Sequence, residues 1–300
     1  MPRWDRSRLW RHPRPGDSTC PQPRLAPQLP LPVSAPLAMG KPGEEYPFPW
    51  SVYRWLEGET ATIDGLADPV GTATELAGFI SALQGIDSTG GPGPEWSNAF
   101  RGVPMGDERD SVASEARVRP RIAALRGMVD TDAVTAVWEA ALTAPAWEGP
   151  PVWIHGDLAA GNLLAVQGRL SAVIDFGTLA VGDPAVDLLP AWLFLPAGAR
   201  DVFRTALDVD DATWARGRGW ALASSLPVPD DPYFDDPARV RAALRHLDEL
   251  VADLLIVRIG PARARSERDS PQPRQSPGAV PGSVSARPSW ARSVIQRAGR

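Results

Sequence analysis

Two apolar runs, Leu163–Val166 and residues 170–174, stand three residues apart, and the Gln167-Gly168-Arg169 between them folds the pair back as a β-hairpin. A hairpin brings whatever precedes its first strand beside whatever follows its second. The polar loop 155–162, HGDLAAGN, precedes and Asp175 follows, so Asp157, Asn162 and Asp175 are expected to converge at one end of the ribbon.

The surrounding chain reads as little sheet early and mostly helix late. Residues 75–86 set Leu76, Phe79, Ile80 and Leu83 at helical spacing, and residues 132–144 do the same with Val134, Val137, Trp138 and Ala141. Within 46–58 the alternation over 51–56 predicts a strand closed by Gly58, and a second short strand at 151–154 leads into the polar loop. Asp183–Pro184 and Asp236–Pro237 each read as a helix start, Asp capping and Pro at the first helical position. Helices are expected over 184–194, over 212–224 and from 237 onward, where Val240, Leu244, Leu247, Val251 and Leu254 face a core.

Composition excludes several classes of function. A single cysteine, Cys20, cannot form an internal disulfide, and no Cys/His cluster is present to hold zinc or an iron–sulfur centre. The longest apolar stretch, 188–199, is broken by Pro190 and Pro196 and falls short of the ~20 residues of a membrane helix. The arginines near the start are not followed by an apolar signal segment, so a cytoplasmic protein without a membrane partner is expected.

Charge is unevenly placed. Residues 1–36 carry six Arg against two Asp, and residues 261–300 carry eight Arg against one Glu and one Asp; with −5 overall, the body 37–260 carries −15. An acidic body favours cationic ligands and disfavours duplex nucleic acid, whose binding rests on neutralised phosphates. Both basic ends are proline-rich, with nine prolines in 1–36, and lack a periodic apolar face; both are expected to be extended or disordered.

Two carboxylates and an amide form an all-oxygen donor set suited to Mg²⁺, which keeps water and substrate phosphates for its remaining positions. Asn162 and Asp175 fit that role. Asp157, five positions before Asn162, is far enough along the loop to face a substrate, where a carboxylate accepts the proton of an attacking hydroxyl. The reaction class that follows is phosphoryl transfer.

The string His155-Gly-Asp157-x-x-x-x-Asn162, followed eighteen residues after Asp157 by Asp175-Phe-Gly, resembles the aminoglycoside phosphotransferase family of the protein-kinase-like superfamily. The resemblance extends to GDPAVDL (182–188) and to VYRWLEGE (52–59), which looks like the interlobe hinge that meets the adenine. It implies an α+β, protein-kinase-like fold with a truncated small β lobe and a mainly helical large lobe. The expected division is a disordered 1–36, residual small-lobe strands and hinge over 37–60, a large lobe over 61–260 and a disordered basic tail over 261–300. ATP and Mg²⁺ are the implied cofactors, with Trp55 and Leu56 at the nucleotide, Asp157 as catalytic base, and Asn162 and Asp175 as metal ligands. The partner is a small-molecule hydroxyl acceptor, polar or cationic. The chain departs from the family pattern at Ala159–Ala160, where relatives carry His-Pro. It departs again upstream of the hinge, where no glycine-rich phosphate cradle stands and Lys41 lies too near the hinge for the phosphate-contacting role.

Plainer readings compete at several positions. Asp183 reads first as a helix cap, and Asp187 either braces the catalytic loop through backbone hydrogen bonds or lies on a solvated face. His155 reads as a loop-bracing histidine rather than a proton carrier. Tyr53 and Trp55 on a strand read as core, with a nucleotide cleft as the rival, and Trp138 and Trp192 read as core. For the whole chain, the alternatives to a small-molecule kinase are a catalytically inactive, kinase-like remnant or binding module, and a metal-dependent phosphohydrolase.

Overall fold

Proline and aspartate mark where most elements of this chain begin. The computed structural model describes residues 21–43, 46–48, 50–109, 111–228 and 231–259. A four-residue helix, α1 (Gln22–Leu25), leads to β1 (Pro36–Gly40), which pairs antiparallel with β2 (Trp50–Tyr53) in a two-stranded sheet. After an irregular connection, β3 (Glu59–Thr60) joins a different sheet, and the helical body starts with α2 (Pro69–Gln84), α3 (Glu115–Ala124) and α4 (Thr131–Thr143). Then come β4 (Val152–Ile154), β5 (Leu163–Val166), β6 (Arg169–Val173) and β7 (Ala180–Gly182), followed by α5 (Pro190–Leu193), α6 (Ala197–Leu207), α7 (Asp211–Ser225) and α8 (Pro237–Ile259).

The hairpin expected from the sequence is β5–β6, with Leu163 opposite Val173 and Val166 opposite Arg169. Strand β3 adds to its outer edge, placing Thr60 opposite Leu164, and β4 pairs with β7 in a second small ladder. Leu163 and Val173 are fully buried and anchor the hairpin on the helical core. That core is made where α2 packs on α6, and where α7 packs on both α4 and the 3₁₀ turn Pro184–Leu188. Trp138 and Trp192 lie inside it, as their apolar positions predict.

Buried ion pairs lock this body together. Arg216 on α7 donates Nε–H to Asp183 Oδ2 at 2.8 Å and Nη2–H to Thr213 Oγ1 at 3.1 Å. Arg218 on the same helix donates Nε–H to Asp253 Oδ2 of α8 at 2.9 Å, and the Trp214 indole N–H shares that oxygen at 3.2 Å. Buried charges are tolerated only when paired and hydrogen-bonded in this way.

Four expectations need correction. The segment 21–36 is ordered rather than disordered: Leu25 is completely buried, Pro32 O accepts from the Val173 N–H at 2.9 Å, and Val33 bridges to Val173, so this stretch continues the hairpin sheet. Its prolines mask one apolar anchor, and a fixed proline φ is compatible with a first helical turn. Residues 1–20 and 261–300, where the remaining disorder is expected, lie outside the described residues. The early strand covers only Trp50–Tyr53, and Tyr53 and Trp55 are exposed, Trp55 by 83%, instead of core. The helix expected over 184–194 is a 3₁₀ turn followed by α5, because Pro190 has no N–H to carry an α-helix through. Helix α3, with Pro120 inside it, has no counterpart among the elements expected from the sequence. No helix among the described residues is long and apolar enough to cross a membrane.

Candidate active site

Loop 155–162 leaves β4 and enters β5, and backbone hydrogen bonds fix its course. Asp187, fully buried in the 3₁₀ turn behind the loop, accepts the His155 N–H at 2.8 Å with Oδ2 and the Gly156 N–H at 2.7 Å with Oδ1. Of its two readings, the loop brace is the one found. Gly156 has φ +83°, and a Cβ there would meet Thr178 O at 2.8 Å and the Arg101 stem at 3.0 Å, so only glycine fits. The Thr178 hydroxyl donates to His155 O at 2.8 Å and closes the brace from the other side.

His155 is buried, with its ring against Phe176 at 4.6 Å between centroids. Its Nδ1 accepts the Asp157 N–H at 3.3 Å, so the ring proton sits on Nε2, which donates to Ile174 O at 3.0 Å. Burial lowers its pKa, against the opposing pull of the Ile174 carbonyl, Asp157 and Asp175, and a neutral ring with both nitrogens engaged is a brace.

Two of the three expected residues touch, and the backbone brings the third alongside. Asn162 donates its amide Nδ2 to Asp157 O at 2.8 Å and to Asp157 Oδ2 at 3.1 Å, and Asn162 O accepts the Ile174 N–H at 2.9 Å. Asp175, the next residue, takes φ +61°, a left-handed conformation that few non-glycine residues adopt, and accepts the Gly177 N–H at 3.4 Å. Because the nitrogen end of the Asn162 amide is committed to Asp157, its oxygen is the end free for a cation. The Asp175 carboxylate is exposed, and an amide oxygen and a carboxylate are donors of the kind that Mg²⁺ takes.

The two residues expected at the nucleotide are less enclosed. Trp55 and the half-buried Leu56 lie in the connection between β2 and β3, and that connection is tied to the hairpin where Ser171 Oγ donates to Glu57 O at 3.0 Å. An open groove of about 450 Å³ runs between residues 57–62 and the turn 165–168. It lies at the turn end of the hairpin, a strand's length from Asp157, and so is a different place from the carboxylate cluster.

Two arginines near the site escape sequence reasoning. Arg216 holds Asp183, whose Oδ1 also caps the following turn by accepting the Ala185 N–H at 2.9 Å, so the cap reading holds and an ion pair is added to it. Arg101 reaches Asp157, with Nη2 3.7 Å from Oδ1. No spacing in the sequence announces either.

Burial pushes the Asp187 pKa up to about 7, against its two backbone donors and Arg101. A folded-state pKa above the unfolded value of 3.8 means the folded chain binds the extra proton, so the Asp187 contribution to stability is full below pH 4 and is lost as pH rises through about 7. The loss attributable to Asp187 between pH 4.5 and 7.5 is roughly 3 kcal/mol. Urea unfolding at those two pH values is expected to show that decline in the wild type and a flatter profile in Asp187→Asn; equal declines in the two proteins would exclude it.

Residues 22–220 match the phosphotransferase enzyme family. No curated protein sequence matches. Among solved structures, the chain is similar to the GDP complex of wild-type aminoglycoside 2'-phosphotransferase-IIIa, at 19% identity over 77% of this chain and 79% of that one, with a TM-score of 0.52. It is also similar to the GDP and kanamycin complex of APH(2")-IIia, at 20% identity over 77% and 80%, with a TM-score of 0.50.

Proposed function

Given that this chain belongs to the phosphotransferase enzyme family, we propose that it moves the γ-phosphoryl group of MgATP to a hydroxyl of a small polar or cationic molecule, in the manner of an aminoglycoside phosphotransferase. The observation that carries this reading is the Asp157 carboxylate, with Oδ2 held by the Asn162 amide at 3.1 Å and Oδ1 outside any hydrogen bond among the described residues. Oδ1 accepts the proton of the acceptor hydroxyl as the new O–P bond forms, the bond from Pγ to the β–γ bridging oxygen breaks, and the nucleoside diphosphate leaves. Asn162 Oδ1 and Asp175 would hold Mg²⁺; when bound, it neutralises charge on the phosphate oxygens. The hinge segment with Trp55 and Leu56 would meet the base of the nucleotide. The two solved neighbours with GDP, one of them also holding kanamycin, support a nucleotide donor and a polyhydroxylated, cationic acceptor.

The test is direct. Purified protein incubated with MgATP or MgGTP and kanamycin, or a panel of polyhydroxylated amines, is expected to convert the nucleotide triphosphate to the diphosphate in proportion to the phosphorylated acceptor seen by mass spectrometry. A second reading, an inactive kinase-like binding module, is favoured by one observation. Among the described residues the sheet before the hinge has two strands, and Lys41 at its end is exposed. Calorimetric titration with MgATP separates the two: micromolar binding supports the kinase, and absence of heat supports the module.

A further inference from the structure

We propose that Arg101 is a positioning residue of the transfer site, aiming the Asp157 carboxylate so that Oδ1 stays open to the acceptor. This rests on the role given to Asp157 above. Three features of the chain converge on seating this one side chain. Ala99 and Phe100, immediately before it, take left-handed φ values of 54° and 53°, and Gly102 follows at 78°. Gly102 lies so close to β7 that a Cβ would meet the Gly182 Cα at 3.2 Å, and its carbonyl accepts the Asp183 N–H at 3.0 Å. The stem of Arg101 in turn lies on Gly156, where any Cβ would meet it at 3.0 Å. Backbone strain held by this much surrounding contact clusters where function requires it.

The way Arg101 is paired distinguishes it from the structural arginines. Arg216 and Arg218 are more deeply buried, and each makes a hydrogen bond of 2.8–2.9 Å to its carboxylate. Arg101, only 12% exposed, stands back from Asp157 at 3.7 Å, and among the described residues its buried Nε and Nη1 have no hydrogen-bond partner. The Trp220 ring lies under the guanidinium at 5.9 Å. Asp187, the other carboxylate it senses, already spends both oxygens on the loop backbone. A cation held at this distance orients Asp157 through charge without occupying the lone pairs of Oδ1, while Asn162 secures Oδ2. Direct hydrogen bonding would take one lone pair of the proton acceptor and lower its basicity; no cation at all would leave the carboxylate free to turn.

Crystals and kinetics test this independently. In crystals of Arg101→Met without ligands, the Asp157 carboxylate is expected to rotate off the Asn162 amide, and in Arg101→Lys to stay. Asp157 superposing on the wild type in Arg101→Met would overturn the proposal whether or not any acceptor is known. With MgATP as donor and water as acceptor, Arg101→Met is expected to lower kcat about 100-fold while KM for MgATP moves less than about threefold, with Arg101→Lys recovering part of the loss. Wild-type kcat in Arg101→Met would also overturn it. A wild-type protein without turnover against water, kanamycin and the panel of polyhydroxylated amines refutes the function proposed above, and the crystals still decide the role of Arg101. If Arg101→Met does not fold, Arg101→Gln, equally uncharged, is read in the same two ways.

Discussion

Asp157→Asn is expected to bind MgATP as the wild type does and to lose turnover by about 10²–10⁴-fold. The substitution keeps the shape of the side chain, and an asparagine oxygen can still accept the Asn162 amide that now holds Oδ2 at 3.1 Å. The loop keeps its braces too, since they run through the backbone of His155 and Gly156 to Asp187 and do not involve the Asp157 carboxylate. What is lost is the anionic oxygen that takes the hydroxyl proton, and with it the attraction that aligns the hydroxyl on phosphorus. Steady-state kinetics beside calorimetry of MgATP read the two quantities separately. Full kcat in the variant would remove the base assignment, and lost nucleotide affinity would make Asp157 part of the nucleotide site instead.

Asp175→Asn is expected to have a comparable effect by another route. An amide in place of the carboxylate removes the one charged donor proposed for the cation, and Mg²⁺ affinity depends on ligand charge. A fall of at least about 10-fold in apparent Mg²⁺ affinity and about 10² or more in kcat is expected, partly relieved by raising the Mg²⁺ concentration. The left-handed backbone at φ +61° tolerates asparagine as readily as aspartate, so the fold should survive. A variant with unchanged Mg²⁺ dependence would show that Asp175 is not a ligand.

The legibility of this chain follows local chemistry. The β5–β6 hairpin is readable because its strands and turn are contiguous, and a hairpin fixes which flanking residues meet. Contiguity alone therefore brings Asp157, Asn162 and Asp175 to one end of the ribbon. Asp183 and Asp236 are readable as caps for the same reason: a cap depends on residues two positions away, and both accept such bonds, from Ala185 and Ala238. Arg101 and Arg216 are not readable, since their partners lie 56 and 33 positions away and only tertiary packing joins them. Leu25 is hidden among prolines that suggest no fold, although its burial and the Val33 bridge to Val173 together tie 21–33 to the body. Tyr53 and Trp55 mislead in the opposite sense: strand-forming aromatics imply burial only where a second layer covers the strand, and the β1–β2 ribbon leaves Leu37, Met39, Trp50 and Val52 exposed beside them.

In the proposed site a cation sits between the Asn162 amide oxygen and the Asp175 carboxylate with Asp157 free beside it. The most direct measurement is the anomalous difference map of crystals grown with Mn²⁺ and a non-hydrolysable ATP analogue. A peak in direct contact with Asn162 Oδ1 and an Asp175 oxygen, bridging to the phosphates and leaving Asp157 Oδ1 open, is expected. Ordered nucleotide with its metal held by other residues, or with those three side chains turned apart, would contradict it.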